Sequence, residues 1–157
     1  MGSWNGVGGK LEANETPDEC IRREILEETG IPVADVTYKG VVSWVVDGVP
    51  KGGMYAFIAE VTDSFHYPTP VKTSEGILDW KELAWICHPQ NTGVATNLPK
   101  FLPTLFADER LFEFRCIFAN GQLQEIVSIP IPAERYPVAG RQASTDPDQI
   151  KLQEAKG

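Results

Sequence analysis

The chain has 157 residues, and its 22 acidic and 14 basic side chains give a formal net charge of −8. The length suits one domain with a hydrophobic core, whereas the acidic balance argues against tight binding to a nucleic-acid polymer, which depends on Lys and Arg. No apolar run reaches the roughly 20 residues of a membrane helix and no secretory leader is visible, so we expect a cytoplasmic protein that binds no membrane. The three cysteines are widely spaced, and we expect them to be reduced.

The first predicted element is a helix that begins after Thr16 and ends before Gly30. Thr16 suits the N-cap, Pro17 suits the first helical position, and Glu19 completes a capping box. Gly30 favours the left-handed conformation that ends many helices. The sequence therefore predicts a loop over residues 8–15, followed by a helix of about three to four turns.

Three glutamates share one face of this predicted helix. Glu24, Glu27 and Glu28 stand at positions i, i+3 and i+4, which place their side chains next to one another. Like charges at these spacings destabilise a helix by roughly a few tenths of a kcal/mol per pair. A hard divalent cation would compensate this repulsion, because Mg²⁺ prefers carboxylate and phosphate oxygens as ligands. The spacing therefore indicates a candidate Mg²⁺ site.

The later elements are predicted from β-branched and aromatic runs, apolar periodicity and turn residues. In chain order they are a strand over 36–46, a turn over 47–53, a return strand over 54–61, a proline-containing loop over 64–73 with a surface His66, a short strand and turn over 78–86, a helix over 98–107 that Pro103 should interrupt or kink, and a hairpin of strands 111–118 and 122–129 around Asn120-Gly121. Residues from about 141 onward are polar and lack aromatics, so we expect a domain over 1–140 and a disordered tail over 141–157.

The region around the three glutamates matches a known signature at every position. The matching residues are Gly9, Glu15, Arg23, Glu24, Ile25, Glu27, Glu28, Gly30 and Ile31. On these residues the chain resembles the Nudix hydrolase family. The resemblance implies an α/β fold, namely an α/β/α sandwich with a mixed β-sheet, and an enzyme that uses Mg²⁺ or Mn²⁺ to hydrolyse a nucleoside diphosphate linked to another group. Family members normally have a strand before the signature, so we expect the leading N-terminal strand to be missing from this chain.

The resemblance also implies roles for individual residues. The three glutamates of the helix and the backbone carbonyl of Gly9 would bind the metal. Arg23 would belong to the catalytic set by orienting a glutamate through a charge-assisted hydrogen bond, and Glu15 would brace the loop against the helix.

Glu75 is a further candidate outside the signature. The segment Thr73-Ser74-Glu75-Gly76 resembles the family's loop that supplies an additional carboxylate. Glu75 is therefore either an extra metal ligand or general base, or a solvated loop acid, which is the default for an exposed glutamate. The identity of the general base stays open among Glu27, Glu28 and Glu75.

The residues before the signature bear on the substrate. The stretch Trp4-Asn5-Gly6-Val7-Gly8-Gly9-Lys10 resembles the MutT-like 8-oxo-dGTP diphosphatases, in which the asparagine recognises the purine edge. An amide suits this task because it donates and accepts at once, although Asn-Gly is also a common turn dipeptide. The resemblance thus implies a nucleotide substrate bound by Asn5, Gly8, Gly9, Lys10 and Asn97.

The second half of the expected base pocket departs from that pattern. Thr96-Asn97-Leu98 lies where the vertebrate 8-oxo-dGTP diphosphatase carries paired aspartates, so this chain supplies no carboxylate there. The aromatic residues Trp85, Phe101 and Phe106 are candidates for stacking on a base, with core packing as the alternative.

Three functions follow as hypotheses. The first is hydrolysis of (oxidised) purine nucleoside triphosphates such as 8-oxo-dGTP to monophosphate and pyrophosphate. The second keeps the reaction but takes a dinucleotide polyphosphate or a nucleotide sugar. The third is a catalytically silent nucleotide-binding module. The resemblance is compatible with a monomer or a homodimer.

Overall fold

Residues 2–62 and 64–135 are described by the computed structural model, and they contain three α-helices and six strands. In chain order these are α1 (Pro17–Thr29), β1 (Val36–Val46), β2 (Val49–Ala59), β3 (Val71–Lys72), β4 (Ile77–Leu78), α2 (Leu83–Ile86), α3 (Leu98–Ala107), β5 (Leu111–Ala119) and β6 (Gln122–Ile131), followed by a short 3₁₀ turn at Ala133–Arg135. The predicted tail over 141–157 and the domain boundary at 140 lie outside the described residues.

The main sheet has four strands in the order β2-β1-β5-β6. β1 runs parallel to β5, whereas β2 and β6 are each antiparallel to their neighbour, so the predicted mixed sheet is confirmed. β3 and β4 form a separate antiparallel pair. The described residues before α1 contribute no strand to the main sheet, and their pairing with other segments is a single parallel bridge between Trp4 and Val94.

Two tight turns connect the antiparallel pairs of the main sheet. Asp47-Gly48 joins β1 to β2 with φ values of 50° and 79°, and Asn120-Gly121 joins β5 to β6 with φ values of 52° and 74°. Two left-handed residues in succession are the geometry that matches the twist of a two-residue hairpin. The prediction for Asn120-Gly121 is confirmed. The predicted turn over 47–53 is wrong, because two residues suffice and the following residues already pair with β1.

The core lies between α3 and one face of the main sheet. Leu98, Phe101 and Leu105 recur at helical spacing along one side of α3 and are at most 7% exposed. They pack against alternate residues of β5, where Phe114 is fully buried and lies with its ring 5.4 Å from that of Phe101. The interface is thus formed by helix residues that recur about every 3.6 positions and by strand residues that recur every two positions.

Two helical segments differ in part from the prediction. α3 continues without interruption through Pro103, which is exposed. A proline at this position removes the N–H that would bond the carbonyl of Pro99, but the helix continues to Ala107. The segment over 78–86, predicted as a short strand and turn, begins with the last residue of β4 and ends with the single helical turn α2, which was not predicted.

The end of α1 is held by its C-cap glycine and by hydrogen bonds from two side chains. Gly30 is left-handed, with φ 73°, and donates to the Leu26 carbonyl at 2.8 Å, as the sequence predicts. The Tyr67 hydroxyl donates to the carbonyl of Thr29 at 2.7 Å. Arg22 donates to the carbonyl oxygens of Val33 and Ala34. The end of the acidic helix is therefore held by the segment that precedes β1 and by the loop that follows β2.

Within residues 2–62 and 64–135, no helix combines the length and the apolar character that crossing a membrane requires.

Candidate active site

A capping box sets the start of the acidic helix. The Thr16 hydroxyl accepts from the N–H of Glu19 at 3.3 Å, and the Glu19 carboxylate accepts from the N–H of Thr16 at 2.8 Å. The two bonds satisfy backbone donors that a helix start otherwise leaves unpaired. The helix therefore begins at Pro17, and the glutamates at 24, 27 and 28 all lie within it at spacings that share a face.

Arg23 fastens the preceding loop to this helix. Its Nε and Nη2 donate to the two carboxylate oxygens of Glu15 at 2.7 and 3.0 Å, a bidentate pair. Nη2 also donates to the carbonyl of Lys10 at 3.0 Å. The hydrogen bonds from Arg23 and the N–H of Glu12 hold the pKa of Glu15 at about 2, against an ordinary value of 4.5. Glu15 therefore joins loop and helix as an ionised group.

The remaining nitrogen of Arg23 contacts two of the three glutamates. Nη1 lies 2.8 Å from Glu24 Oε1 and 3.1 Å from Glu27 Oε2. The Glu24 side chain is only 14% exposed, whereas that of Glu27 is 60% exposed. One guanidinium thus orients both carboxylates, and only Glu27 is largely open to solvent.

Gly8 and Gly9 bring the backbone of the loop against the acidic face. The N–H of Gly8 donates to Glu28 Oε1 at 3.1 Å. A Cβ at Gly9 would lie 1.9 Å from Glu24 Oε1, so no other residue fits there unless the Glu24 carboxylate moves. The absence of a side chain at position 9 is therefore what lets Glu24 lie against the main chain.

Glu28 is influenced by a second carboxylate that is distant in sequence. Burial raises its pKa, and the negative charges of Glu75 and Glu24 raise it further, while the bond from Gly8 opposes the rise. Glu75 is exposed at the turn between β3 and β4, where the Thr73 hydroxyl accepts from the N–H groups of Glu75 and Gly76 at 3.2 Å each. The β3–β4 turn therefore brings Glu75 within electrostatic range of α1.

The segments that carry the two predicted base-contacting amides are brought together by the bridge at Trp4. However, both side chains already have polar neighbours. Asn5 Oδ1 accepts from the N–H of Gly6 at 2.9 Å, which is the turn geometry of an Asn-Gly dipeptide. The Asn97 side chain acts on the buried thiol of Cys116 and opposes the rise in the pKa of Cys116 that burial causes.

The three aromatic candidates for stacking have different environments. Phe101 is 2% exposed and belongs to the core, so core packing is the correct interpretation for that residue. Phe106 is 54% exposed and Trp85 is 40% exposed. A shallow apolar groove of about 450 Å³ lies elsewhere, lined by Trp44, Val46, Lys51, Phe118 and Gly121, none of which was a candidate functional residue in the sequence.

Comparison with known proteins connects this geometry to a family. The family model of the NUDIX domain matches residues 1–105 of the sequence, which is more than half of the chain. The chain belongs to the Nudix family of hydrolases.

Individual Nudix relatives are similar over parts of their length. The NAD-capped RNA hydrolase NudC of Vibrio vulnificus is 37% identical over 106 residues, which are 66% of this chain and 33% of that protein. The oxidized purine nucleoside triphosphate hydrolase of Mus musculus is 35% identical over 83 residues, 52% of this chain and 51% of that protein. The chain therefore spans about half or less of the length of these relatives.

The fold is also that of a solved Nudix structure. The MutT protein from Bacillus halodurans superposes with a TM-score of 0.64 and 28% sequence identity, covering 83% of this chain and 85% of that chain. The expected fold class is thereby confirmed.

The Nudix signature residues fit a hard divalent cation by their chemistry. Their acidic members supply only oxygen ligands, and the absence of a Cβ at Gly9 lets the backbone of the loop lie against Glu24. As they stand, no three acidic, His or Cys side chains among the described residues converge closely enough to enclose an ion. Glu24 and Glu27 are instead held by Arg23, and Glu28 by the N–H of Gly8.

One feature of this Nudix site escaped the sequence analysis. Lys81 lies over the rings of both Trp4 and Trp85, next to the segment that leads into the signature. A lysine near two tryptophans in Trp80-Lys81-Glu82-Leu83-Ala84-Trp85 could have suggested a cation–π contact. The contact with Trp4 could not be predicted in this way, because Trp4 is 77 positions away from Lys81.

Proposed function

We propose that this Nudix protein is a Mg²⁺-dependent pyrophosphohydrolase of nucleoside diphosphate-linked compounds, and that its substrates are purine nucleoside triphosphates, including oxidised ones such as 8-oxo-dGTP. The products are a nucleoside monophosphate and pyrophosphate. The observation that carries the proposal is the acidic face of α1, where one arginine orients two glutamates and a glycine backbone lies against them.

The residues that would hold the cation are Glu24, Glu27, Glu28, Glu75 and the carbonyl of Gly9. A bound divalent cation neutralises charge on the pyrophosphate and lowers the pKa of a bound water. The role of Arg23 is to hold two of these carboxylates in place and to keep the Lys10 end of the loop on the helix. Mn²⁺ is a second cation compatible with the same oxygen donors.

Hydrolysis requires a base as well as charge neutralisation. The oxygen of water forms a new P–O bond, the bridging P–O bond breaks, and a proton of the water passes to a carboxylate. Glu28 and Glu75 are the first candidates for this base because their charges influence each other across the site. Glu27 is the third, because it is the most exposed of the three helix glutamates.

The choice of substrate is supported by two independent features. One is the relative from Mus musculus, whose name states that it acts on oxidized purine nucleoside triphosphates. The other is Asn5, which lies in an exposed turn next to Trp4 and can exchange its local bond with Gly6 for a purine edge. Lys10 is exposed four residues after Gly6 and offers a positive charge for a phosphate.

The test is a nucleotide panel assayed with Mg²⁺ for release of pyrophosphate. The panel contains 8-oxo-dGTP, dGTP, ATP, NAD, a dinucleotide polyphosphate, a nucleotide sugar and an RNA with a 5′ NAD cap. We expect turnover of at least one purine triphosphate. Folded protein that hydrolyses no triphosphate would contradict the proposal.

Glu28→Gln is the matched control for this assay. We expect a rate loss of at least about 10²-fold, because the substitution removes a ligand charge from the site. Folding should not suffer, because the pKa of Glu28 is raised in the folded state and its ionised form is therefore disfavoured there. A silent nucleotide-binding module would bind nucleotide without turnover, and its Glu28→Gln variant would behave like the wild type.

A second substrate class is favoured by one observation. The match to NudC of Vibrio vulnificus extends over 106 residues, compared with 83 for the triphosphate hydrolase, and its name states activity on NAD-capped RNA. The corresponding activity here would split the pyrophosphate of a dinucleotide into two mononucleotides. A higher kcat/KM for NAD, capped RNA or a dinucleotide polyphosphate than for every triphosphate decides for this class.

A further inference from the structure

Four side chains form a compact cluster beside the loop that leads into the active site. The ammonium of Lys81 lies 4.5 Å from the ring centre of Trp4 and 5.1 Å from that of Trp85. The two indole rings meet edge to face at 6.4 Å. Lys81 also forms an ion pair of 2.5 Å with Asp79. Both distances to the rings are within the range of cation–π attraction, so Lys81 attracts both indoles at once. We call these residues the Lys81 cluster.

The backbone next to the cluster is joined by hydrogen bonds. The N–H of Trp4 donates to the carbonyl of Gly93 at 2.8 Å, and the N–H of Ala95 donates to the carbonyl of Trp4 at 3.0 Å. Asn91 supports the same junction, because it donates to the carbonyl of Trp85 at 2.9 Å and accepts from the N–H of Gly93 at 3.0 Å. The Lys81 cluster and these bonds therefore attach Trp4 to the segment that follows α2.

The segment after Trp4 needs such an attachment. Residues 5–9 read Asn-Gly-Val-Gly-Gly, and three glycines in five residues make the backbone costly to order. Its far end is held where Arg23 donates to the carbonyl of Lys10. Its near end is held at Trp4. Between these points the backbone of Gly8 and Gly9 lies against the acidic face, and Asn5 stands in an exposed turn.

We propose that Lys81 is a positioning residue that holds Trp4 against the 93–95 segment and thereby orders residues 5–9 for nucleotide binding. The part concerning the nucleotide rests on the proposed function. Lys81 acts through Trp4, by attraction between its ammonium and the indole rings. Loss of the ammonium frees the near end of the glycine-rich segment, while the Arg23 end and the glutamates remain in place. The expected consequence is a raised KM with a nearly unchanged kcat.

Hydrogen exchange tests the attachment without reference to activity. In the full chain with Lys81→Met, which keeps an apolar stem and removes the charge, we expect the amides of Trp4 and Ala95 to exchange at least about threefold faster. Lys81→Arg keeps a cation over both rings and should restore slow exchange. Lys100→Met removes one exposed charge from α3 and should change neither amide. Amides of the core strand β5 report that each variant is folded.

Kinetics tests the link to the nucleotide. For the best substrate of the panel, Lys81→Met should raise KM about three- to tenfold and lower kcat less than twofold, with rescue by Lys81→Arg. Unchanged exchange at Trp4 and Ala95 in a folded Lys81→Met variant overturns the attachment. Faster exchange with an unchanged KM overturns its role in binding. If no nucleotide turns over, the proposed function has failed, whereas the exchange data still decide the attachment.

Discussion

At the scale of single residues, Gly9 shows how a missing side chain contributes to a site. Its backbone lies so close to the Glu24 carboxylate that a methyl group cannot be accommodated beside it. Glu24 is at the same time held by Arg23, so it cannot move without breaking an ion pair. The glycine, the arginine and the glutamate therefore form one geometric unit.

Gly9→Ala tests this unit. The new Cβ would meet the end of a flexible side chain and not backbone, so we expect Glu24 to move, activity to fall by at least about 10-fold and the melting temperature to change by about 2 °C or less. Gly2→Ala is the control, because a Cβ there has no neighbour within 4 Å and Gly2 lies outside residues 5–9. Equal activities of the two variants in the panel assay would contradict the prediction.

Glu15 contributes stability that depends on pH. Its pKa is about 2 in the folded protein against 4.5 for a free glutamate, because Arg23 hydrogen-bonds to its ionised form. A lowered pKa means that the contribution is complete above about pH 4.5 and is lost as the pH falls toward 2. In Glu15→Gln, we expect a lower melting temperature than wild type at pH 7 and a difference that shrinks between pH 4.5 and pH 2.5. Thermal unfolding across this range measures it, and a constant difference would rule out the ion pair as the cause.

At the scale of secondary structure, the contact between β1 and β5 depends on Gly40. This residue has φ 118° and follows an irregularity in the pairing of β1 with β2. A Cβ there would lie 2.0 Å from the carbonyl oxygen of Phe112 on β5 and 2.9 Å from its nitrogen. The parallel pair at the centre of the sheet therefore requires a glycine at this position.

Gly40→Ala should destabilise the protein strongly, because both the left-handed backbone and the neighbouring strand oppose a side chain. We expect a loss of about 3 kcal/mol or more in the free energy of unfolding. Gly48→Ala separates the two causes. Gly48 is also left-handed, with φ 79°, but a Cβ there meets open space, so we expect a loss of only about 1 kcal/mol. Denaturant unfolding of both variants makes the comparison, and similar losses would show that the approach of β5 is unimportant.

Elements differ in how well local sequence predicts them. The bounds of α1 and the Asn120-Gly121 turn are correct because caps and turns act over two to four residues. The turn over 47–53 is wrong because strand pairing with β1 extends the hairpin up to Asp47-Gly48. Within 78–86 the prediction missed the helix α2, because a single turn is too short for helical periodicity to reveal.

At the scale of the whole molecule, the acidic balance and the acidic face act together. A net charge of −8 disfavours the compact state, and three of the 22 acidic side chains lie on one face of α1. A cation that binds there should stabilise the folded state, because it binds the unfolded chain less well.

Mg²⁺ should therefore raise the melting temperature. At about ten times its dissociation constant we expect a gain of about 1.4 kcal/mol, which corresponds to a rise of about 3–6 °C. EDTA should reverse the rise, and Glu28→Gln should reduce it. NaCl at the same ionic strength controls for general screening of the net charge. An equal rise with NaCl, or in Glu28→Gln, would show that the stabilisation does not come from the proposed site.

The sequence by itself determined the acidic helix, its two ends and its resemblance to the family, because capping and helical period are local properties of neighbouring residues. Helical spacing alone grouped Glu24, Glu27 and Glu28 on one face, whereas the expected role of Arg23 came from the resemblance to the family.

Only the tertiary structure decided which distant segments meet these residues. It brought Glu75 into range of Glu28, attached Trp4 to the 93–95 segment and set Lys81 over two indole rings. It also placed Asn97 beside Cys116, a neighbour that no pattern indicates. The physical reason is that such contacts depend on strand order and on the path of connecting loops, and these follow from packing of the whole core and not from the periodicity of any one element.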